Sequence, residues 1–264
     1  MRNNASKDLN KIFNDKTSGS TEIVLKLNDY FHNHIGNLKE ITSSIKKAKE
    51  KLSHFAVINN YLNNMQKIVL TKDFKNISNF TTEFKIEIEK KYQRLFKNSR
   101  KYLSDVNYIL TLSNSTTLLE VFKRLGKNNK RLRIVVAESR PKNEGRLFAQ
   151  ALIKNNIKVE FITDAMISLY IPKIDAVVLG ADAILRNGNA INKTGSKAAA
   201  LLCKNYKKPC YVITTQNKFT SKNKFKQTKQ NPDEVWKFKG HDITVINYYF
   251  EEVEKQLITK IITD

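Results

Sequence analysis

Between residues 21 and 34 the apolar side chains Ile23, Val24, Leu27, Tyr30 and Phe31 recur every three or four positions, which lines one face of a helix. Ser18, Gly19 and Ser20 stand just before it, where a hydroxyl can accept from the free amides of a first turn. Ile41, Ile45 and Leu52 continue the period in a second helix and residues 55–70 in a third. Phe84, Ile86, Ile88, Tyr92 and Phe96 line a fourth. No strand-like alternation interrupts them. Residues 1–105 are therefore expected to form an all-helical N-terminal domain.

From residue 106 the period changes. Short β-rich runs at 108–112, 132–137, 159–163, 176–179, 210–214 and 243–246 alternate with helical stretches at 115–125, 144–155, 197–206 and 251–262. Strands that alternate with helices predict right-handed βαβ units. Residues 106–264 are thus expected to form an α/β domain, a Rossmann-like, mostly parallel sheet flanked by helices. The runs I-V-V-A at 134–137 and A-V-V-L-G at 176–180 are continuously apolar, as strands covered on both faces should be. Such sheets bind ligands beyond the carboxyl ends of their strands. That rule collects residues 113–115, 138–141, 164, 180–182 and 214–218 along one rim.

Composition narrows the classes. The 264 residues are 41% hydrophobic, enough to bury a core, and contain no apolar run of about 18 residues that could cross a membrane. The N-terminal stretch lacks the apolar segment of a secretion signal, so a cytoplasmic protein is expected. Cys203 and Cys210 fit no short metal-knuckle spacing and read as ordinary semi-buried thiols. His32, His34 and His54 lack acidic or cysteine companions at ligand spacing, so neither a metal nor a cofactor is expected. Trp236 is expected to anchor packing between the last helix and strand.

The formal charge is +22. Residues 1–105 hold 20 Lys+Arg against 11 Asp+Glu, leaving 27 against 14 of the totals 47 and 25 in the remainder. The excess is spread over both halves, which fits a lysine-rich composition bias as well as it fits a polyanionic partner such as RNA. Segments 123–133 and 218–229 concentrate the lysines.

At the rim no G-x-G-x-x-G and no P-loop occurs. Arg140, in Glu138-Ser139-Arg140-Pro141, could fork onto a phosphate or pair with Glu144. Asp182, in Gly180-Ala181-Asp182, could work as an acid or base or cap the next turn. Asn192 and Lys193 precede a helix near Gly195, an arrangement that can hold an anion. Lys218 follows the strand at 210–214.

The ordered set V-A-E-S-R-P-x-x-E-G, D-A, V-L-G-A-D-A-I-x-x-N-G-x-x-I-N-K-x-G, P-x-Y-V-I-T and N-K-F resembles the initiation factor 2B alpha/beta/delta family. That family includes methylthioribose-1-phosphate isomerase and ribose-1,5-bisphosphate isomerase. The resemblance implies that Asp182 matches the isomerases' catalytic aspartate, Asn192 and Lys193 a substrate-binding pair, and Lys218 a phosphate-side lysine. The isomerases' cysteine belongs in a T-H-C-x segment, which here reads Thr111-Leu112-Ser113-Asn114. Ser113 thus replaces a thiol, and a hydroxyl does not release its proton near neutrality. The stretch Thr17-Ser18-Gly19-Ser20-Thr21-Glu22 lacks the arginine of the enzymes' phosphate clip and is similar to the translation-factor subunits. The expectation is an initiation-factor-2B-like regulatory subunit. It would assemble with itself or related subunits as a dimer or hexamer, contact initiation factor 2, and keep a pocket for a phosphorylated sugar or nucleotide. The alternatives are an aldose-ketose isomerase that uses Asp182 with another partner, and an RNA-associated scaffold.

Overall fold

The first half is helical because each amphipathic stretch buries its stripe against the others. The structure, a computed structural model, describes residues 2–15, 18–52, 55–238, 240 and 242–264; His54 and Thr17 lie outside them. Five helices run in order: α1 (Arg2–Phe13), α2 (Ser20–Asn33), α3 (Leu38–Lys51), α4 (Ala56–Leu70) and α5 (Phe74–Leu103). Ile23, Val24, Leu27 and Phe31 of α2 meet Ile41 and Ile45 of α3 and Ile58, Leu62 and Met65 of α4 in one dry core. Asn28 is buried there with both ends of its amide engaged, donating to the Thr81 carbonyl at 3.0 Å and accepting from the Tyr61 hydroxyl at 2.9 Å. α1 was not expected; Leu9 and Ile12, three apart, bury it. The expected hydroxyl cap of α2 is not formed: Gly19 is the N-cap, and Ser20 is already helical, its buried hydroxyl without a partner among the described residues. Compact units divide at residues 93 and 94, within α5.

The second unit begins its sheet with β1 (Tyr108–Leu112), then α6 (Thr116–Asn128), β2 (Arg133–Ala137), α7 (Gly145–Lys154) and β3 (Lys158–Ile162). A single turn α8 (Ile167–Tyr170), β4 (Ala176–Leu179) and a hairpin of β5 (Ala183–Ile184) and β6 (Ala190–Lys193) follow. The chain finishes with α9 (Ser196–Asn205), β7 (Cys210–Ile213), β8 (Phe250–Val253) and β9 (Lys260–Ile262). Six strands form one parallel sheet in the order β3-β2-β1-β4-β7-β9. Period-two alternation sorts its residues: Leu110, Val135, Val177 and Val212 face one core with α8 and α9, while Ile109, Ile134, Val136 and Val178 face another with α6 and α7. β5, β6 and β8 make a separate antiparallel sheet in the order β5-β6-β8, which the sequence reading did not anticipate.

The C-terminal expectations require correction. Residues 243–246 are irregular, and 251–262 hold β8, a 3-10 turn and β9 in place of a helix. Val253, Leu257, Ile258, Ile261 and Ile262 do fall at helical spacing. However, β9 is rich in β-branched residues and an open sheet edge is present, so Val212↔Ile261 and Ile213↔Ile262 pair instead. Trp236 consequently has no last helix to anchor. It is half-exposed, stacked on Phe238.

One glycine is required by close approach. A Cβ on Gly145 would overlap the Ala137 carbonyl oxygen, so only glycine lets α7 start against the end of β2. Gly145→Ala is expected to cost about 1–3 kcal/mol. An unchanged urea midpoint would contradict this packing.

Candidate functional site

The carboxyl ends of β1, β2, β3, β4 and β7 bring the expected rim residues to one end of the sheet. β1 leaves through Ser113, whose φ of 69° puts it in the left-handed region. Its N–H donates to Ser139 Oγ at 2.6 Å. Ser139, at φ 63°, and Arg140 turn their own N–H groups onto the Asp164 carboxylate at 2.8 and 2.7 Å. Asp164 follows β3, so a single carboxylate ties together the loops of two neighbouring strands.

Arg140 does not pair with Glu144. Its guanidinium donates to the Val235 carbonyl at 3.1 Å and is exposed. Glu144 is 3% exposed and forms an ion pair with Lys193, itself 5% exposed. Lys193 Nζ also lies 4.8 Å from the Tyr249 ring centroid and 5.2 Å from that of Phe250, so its charge is satisfied from three sides. Among the described residues the second carboxylate oxygen of Glu144 has no hydrogen-bond partner. Asn192, on the same strand, donates to Ser196 Oγ at 2.9 Å, and that hydroxyl donates to the Lys193 carbonyl at 2.6 Å.

The helix start expected to hold an anion already holds one. Glu251 accepts from the N–H groups of Gly195 and Lys197 at 2.7 and 2.8 Å, at the first turn of α9. The β6–β8 register, Asn192↔Glu251, delivers that carboxylate. Gly195 has a φ of 104°, which an L side chain rarely adopts. Glu251 escaped the sequence reading because it sat inside the expected helix, and Glu144 was weighed only against Arg140. Asp164 was read as a rim residue without a role. Nothing short of the antiparallel register points to Glu251.

Asp182 follows β4, is half-buried, and donates its backbone N–H to the Ile191 carbonyl at 2.8 Å. Lys218, on a 3-10 turn after β7, is buried and donates from Nζ to the Ala181 carbonyl at 2.7 Å. Burial pushes its ammonium down from the usual 10.5, and the nearby Asp182 carboxylate pulls it partly back. Asp182 and Lys218 are therefore one electrostatic unit, beside Ala181. Gly180 lets the end of β4 approach the N-cap of α6, where a Cβ would stand 3.0 Å from Ser115 Oγ. Ser115 Oγ accepts from Leu118 N at 3.3 Å.

No thiol stands with them. The chain's two cysteines are buried on α9 and at the start of β7, the opposite end of the parallel strands from the rim. Both are free thiols near one another: their interaction draws the Cys203 thiol down and, with burial, pushes that of Cys210 up. His32 Nδ1 bonds Thr81 Oγ1 at 2.8 Å and His34 Nδ1 the Tyr30 carbonyl at 2.7 Å. Among the described residues no group of three or more His, Cys, Asp or Glu is placed to hold a metal, and no helix is long and apolar enough to cross a membrane.

A doubly covered parallel sheet with a polar rim at its carboxyl ends defines a Rossmann-like α/β protein, here following a helical N-terminal unit. The family profile described as "Initiation factor 2 subunit family" matches residues 5–264, and the chain belongs to that family. It is 31% identical over 270 residues to methylthioribose-1-phosphate isomerase of Thermotoga petrophila, covering 91% of this chain and 77% of that protein. It is 30% identical over 191 residues to ribose 1,5-bisphosphate isomerase of Archaeoglobus fulgidus, covering 69% of this chain and 60% of that protein. That second match spans less than two thirds of the relative's length. The fold matches the crystal structure of Pyrococcus horikoshii translation initiation factor eIF-2B with a TM-score of 0.82 at 22% identity, over 98% of this chain and 94% of that one. The family thus contains both translation-factor proteins and sugar-phosphate isomerases.

Two outcomes follow from the site. Lys193→Met leaves Glu144 buried without its cation and is expected to destabilise by about 3–5 kcal/mol, whereas Lys193→Met with Glu144→Met should recover most of the loss; urea unfolding measures both. The lowered Lys218 value has a definite sign. Between the folded value and 10.5 the unfolded chain binds the proton and the folded chain does not, so stability rises with pH through that window. Wild-type protein should gain stability over Lys218→Met as pH climbs from neutral toward 10.5. Parallel profiles would refute the burial of that charge.

Proposed function

We propose that this chain is a noncatalytic, initiation-factor-2B-like regulatory subunit. The carrying observation is the chemistry of the rim: Asp182 is accompanied by Ser113 and a buried lysine, while both thiols lie at the other end of the sheet. Aldose-ketose conversion moves a proton between adjacent carbons and needs groups that exchange protons near neutrality, and a serine hydroxyl without a base does not. Glu144 and Glu251 already neutralise Lys193 and the start of α9, so a phosphorylated ligand at the rim would compete with the chain's own carboxylates, which suits a weakly held sensor ligand better than a turned-over substrate. The subunit works in the cytoplasm and assembles with itself or related subunits as a dimer or hexamer. Its helical unit contacts initiation factor 2, and the rim around Arg140, Asn192, Lys193 and Lys218 retains a place for a phosphorylated sugar or nucleotide.

The second reading is a sugar-phosphate isomerase. It is favoured by the names of the sequence relatives and by the Asp182–Lys218 pair, in which a buried amine could work with the carboxylate. Pure protein is expected to leave ribose 1,5-bisphosphate and methylthioribose 1-phosphate unconverted above the uncatalysed background. Enzyme-like turnover of either, lost in Asp182→Asn while the circular dichroism stays native, would replace the first reading with the second.

A further inference from the structure

Segment 219–238 follows β7 and lies across the antiparallel sheet. Thr220 N–H donates to the Ile184 carbonyl at 2.9 Å, Gln227 Nε2 to the Phe250 carbonyl at 3.1 Å, and Gln230 N–H to the Asn247 carbonyl at 2.9 Å. The segment is therefore held by backbone N–H groups at Thr220 and Gln230 and by the Gln227 side chain between them, while its lysines stay exposed. It carries five lysines against two acids. Lys222, Lys224, Lys226 and Lys229 are all exposed. Of the acids, Glu234 is engaged by Lys142 at 2.5 Å and by Asn247 and Tyr249, so its charge does not offset them.

Beyond these lysines stand two rings that the rest of the unit does not cover. Trp236 is 53% and Phe238 50% exposed, and they stack with centroids 4.7 Å apart at an interplanar angle of 26°. A Cβ on Gly240 would strike the Phe238 ring, so the glycine lets that ring lie against the backbone. The guanidinium of Arg140, on the Val235 carbonyl, adds a further exposed cation next to them.

The other lysine-rich segment, 123–133, keeps exposed cations at Lys127, Lys130 and Arg131 but contains no aromatic residue. Lys123 and Arg124 both pair with Glu120, Arg133 pairs with Glu160, and Phe122 is fully buried. Charge and an open aromatic face coincide in one of the two segments only. A chain of phosphates bearing unpaired bases matches both features, since lysines neutralise the backbone and every base offers a face for stacking. A duplex hides those faces.

We propose that this segment binds single-stranded nucleic acid, with Trp236 and Phe238 stacking bases and Lys222, Lys224, Lys226 and Lys229 holding phosphates. Apart from Arg140, which borders both, the inference is independent of the rim and of either reading of it.

Trp236 is the only tryptophan in the chain, so its fluorescence reports on the surface directly. An oligoadenylate of about twelve nucleotides, a length within the usual range for such sites, should quench it saturably at low salt. Phe238→Ala should weaken binding about 5- to 150-fold. Changing the four lysines to glutamine should reduce the slope of log affinity against log salt by about 3. Circular dichroism on each variant keeps a folding defect apart from a binding defect. The proposal is overturned if the oligonucleotide leaves the emission unchanged, if a duplex of the same length quenches equally, or if the lysine variant keeps the wild-type salt slope. It is also overturned if emission follows protein concentration and ignores the oligonucleotide, which would assign the surface to a second copy of the chain.

Discussion

A parallel strand covered by helices on both faces can place polar side chains only beyond its last ladder hydrogen bond. That constraint organises the α/β unit. β4 is apolar at every position, and the chain turns polar only after it ends, at Asp182. The same holds after β1 at Ser113 and after β2 at Ser139 and Arg140. Polar groups from distant parts of the chain therefore collect at one edge without any local signal drawing them together.

Once collected, charges in a partly dry place must find partners among themselves. Glu144 and Lys193 do so as a buried pair, Glu251 caps α9, Asp164 gathers two backbone amides, and Lys218 rests on a carbonyl near Asp182. Buried pairs of this kind contribute little net stability relative to apolar packing, yet removing one member is costly. They fix the geometry of the rim and at the same time reduce its pull on an outside anion. A phosphate arriving there competes with carboxylates that belong to the chain.

The fold alone does not divide the family, because one architecture serves both isomerases and translation-factor proteins. On the proposed reading, what decides between them is the identity of a few groups at strand ends. On that reading, the strand-end hydroxyl of Ser113 and the remote placement of Cys203 and Cys210 suit a subunit that acts by assembly and contact. The Asp182–Lys218 pair is the feature an enzyme would exploit.

The sequence by itself determined the two architectures and the rim. Helical spacing marked α2, α3 and α4, and continuous apolar runs marked β2 and β4, because those patterns reflect which faces lose water. Strand-end segments such as Gly180-Ala181-Asp182 were legible for the same reason, and the ordered motifs carried the family. Tertiary structure decided the rest. Residues 253–262 have helical spacing, yet 260–262 became strand because β7 offered an unpaired edge. Glu251 reached α9, and Glu144 turned from Arg140 to Lys193, through strand register and burial between segments far apart in the chain. Local periodicity records how a segment meets water; it carries no record of which distant charge will neutralise which, since that depends on where the folded backbone sets them down.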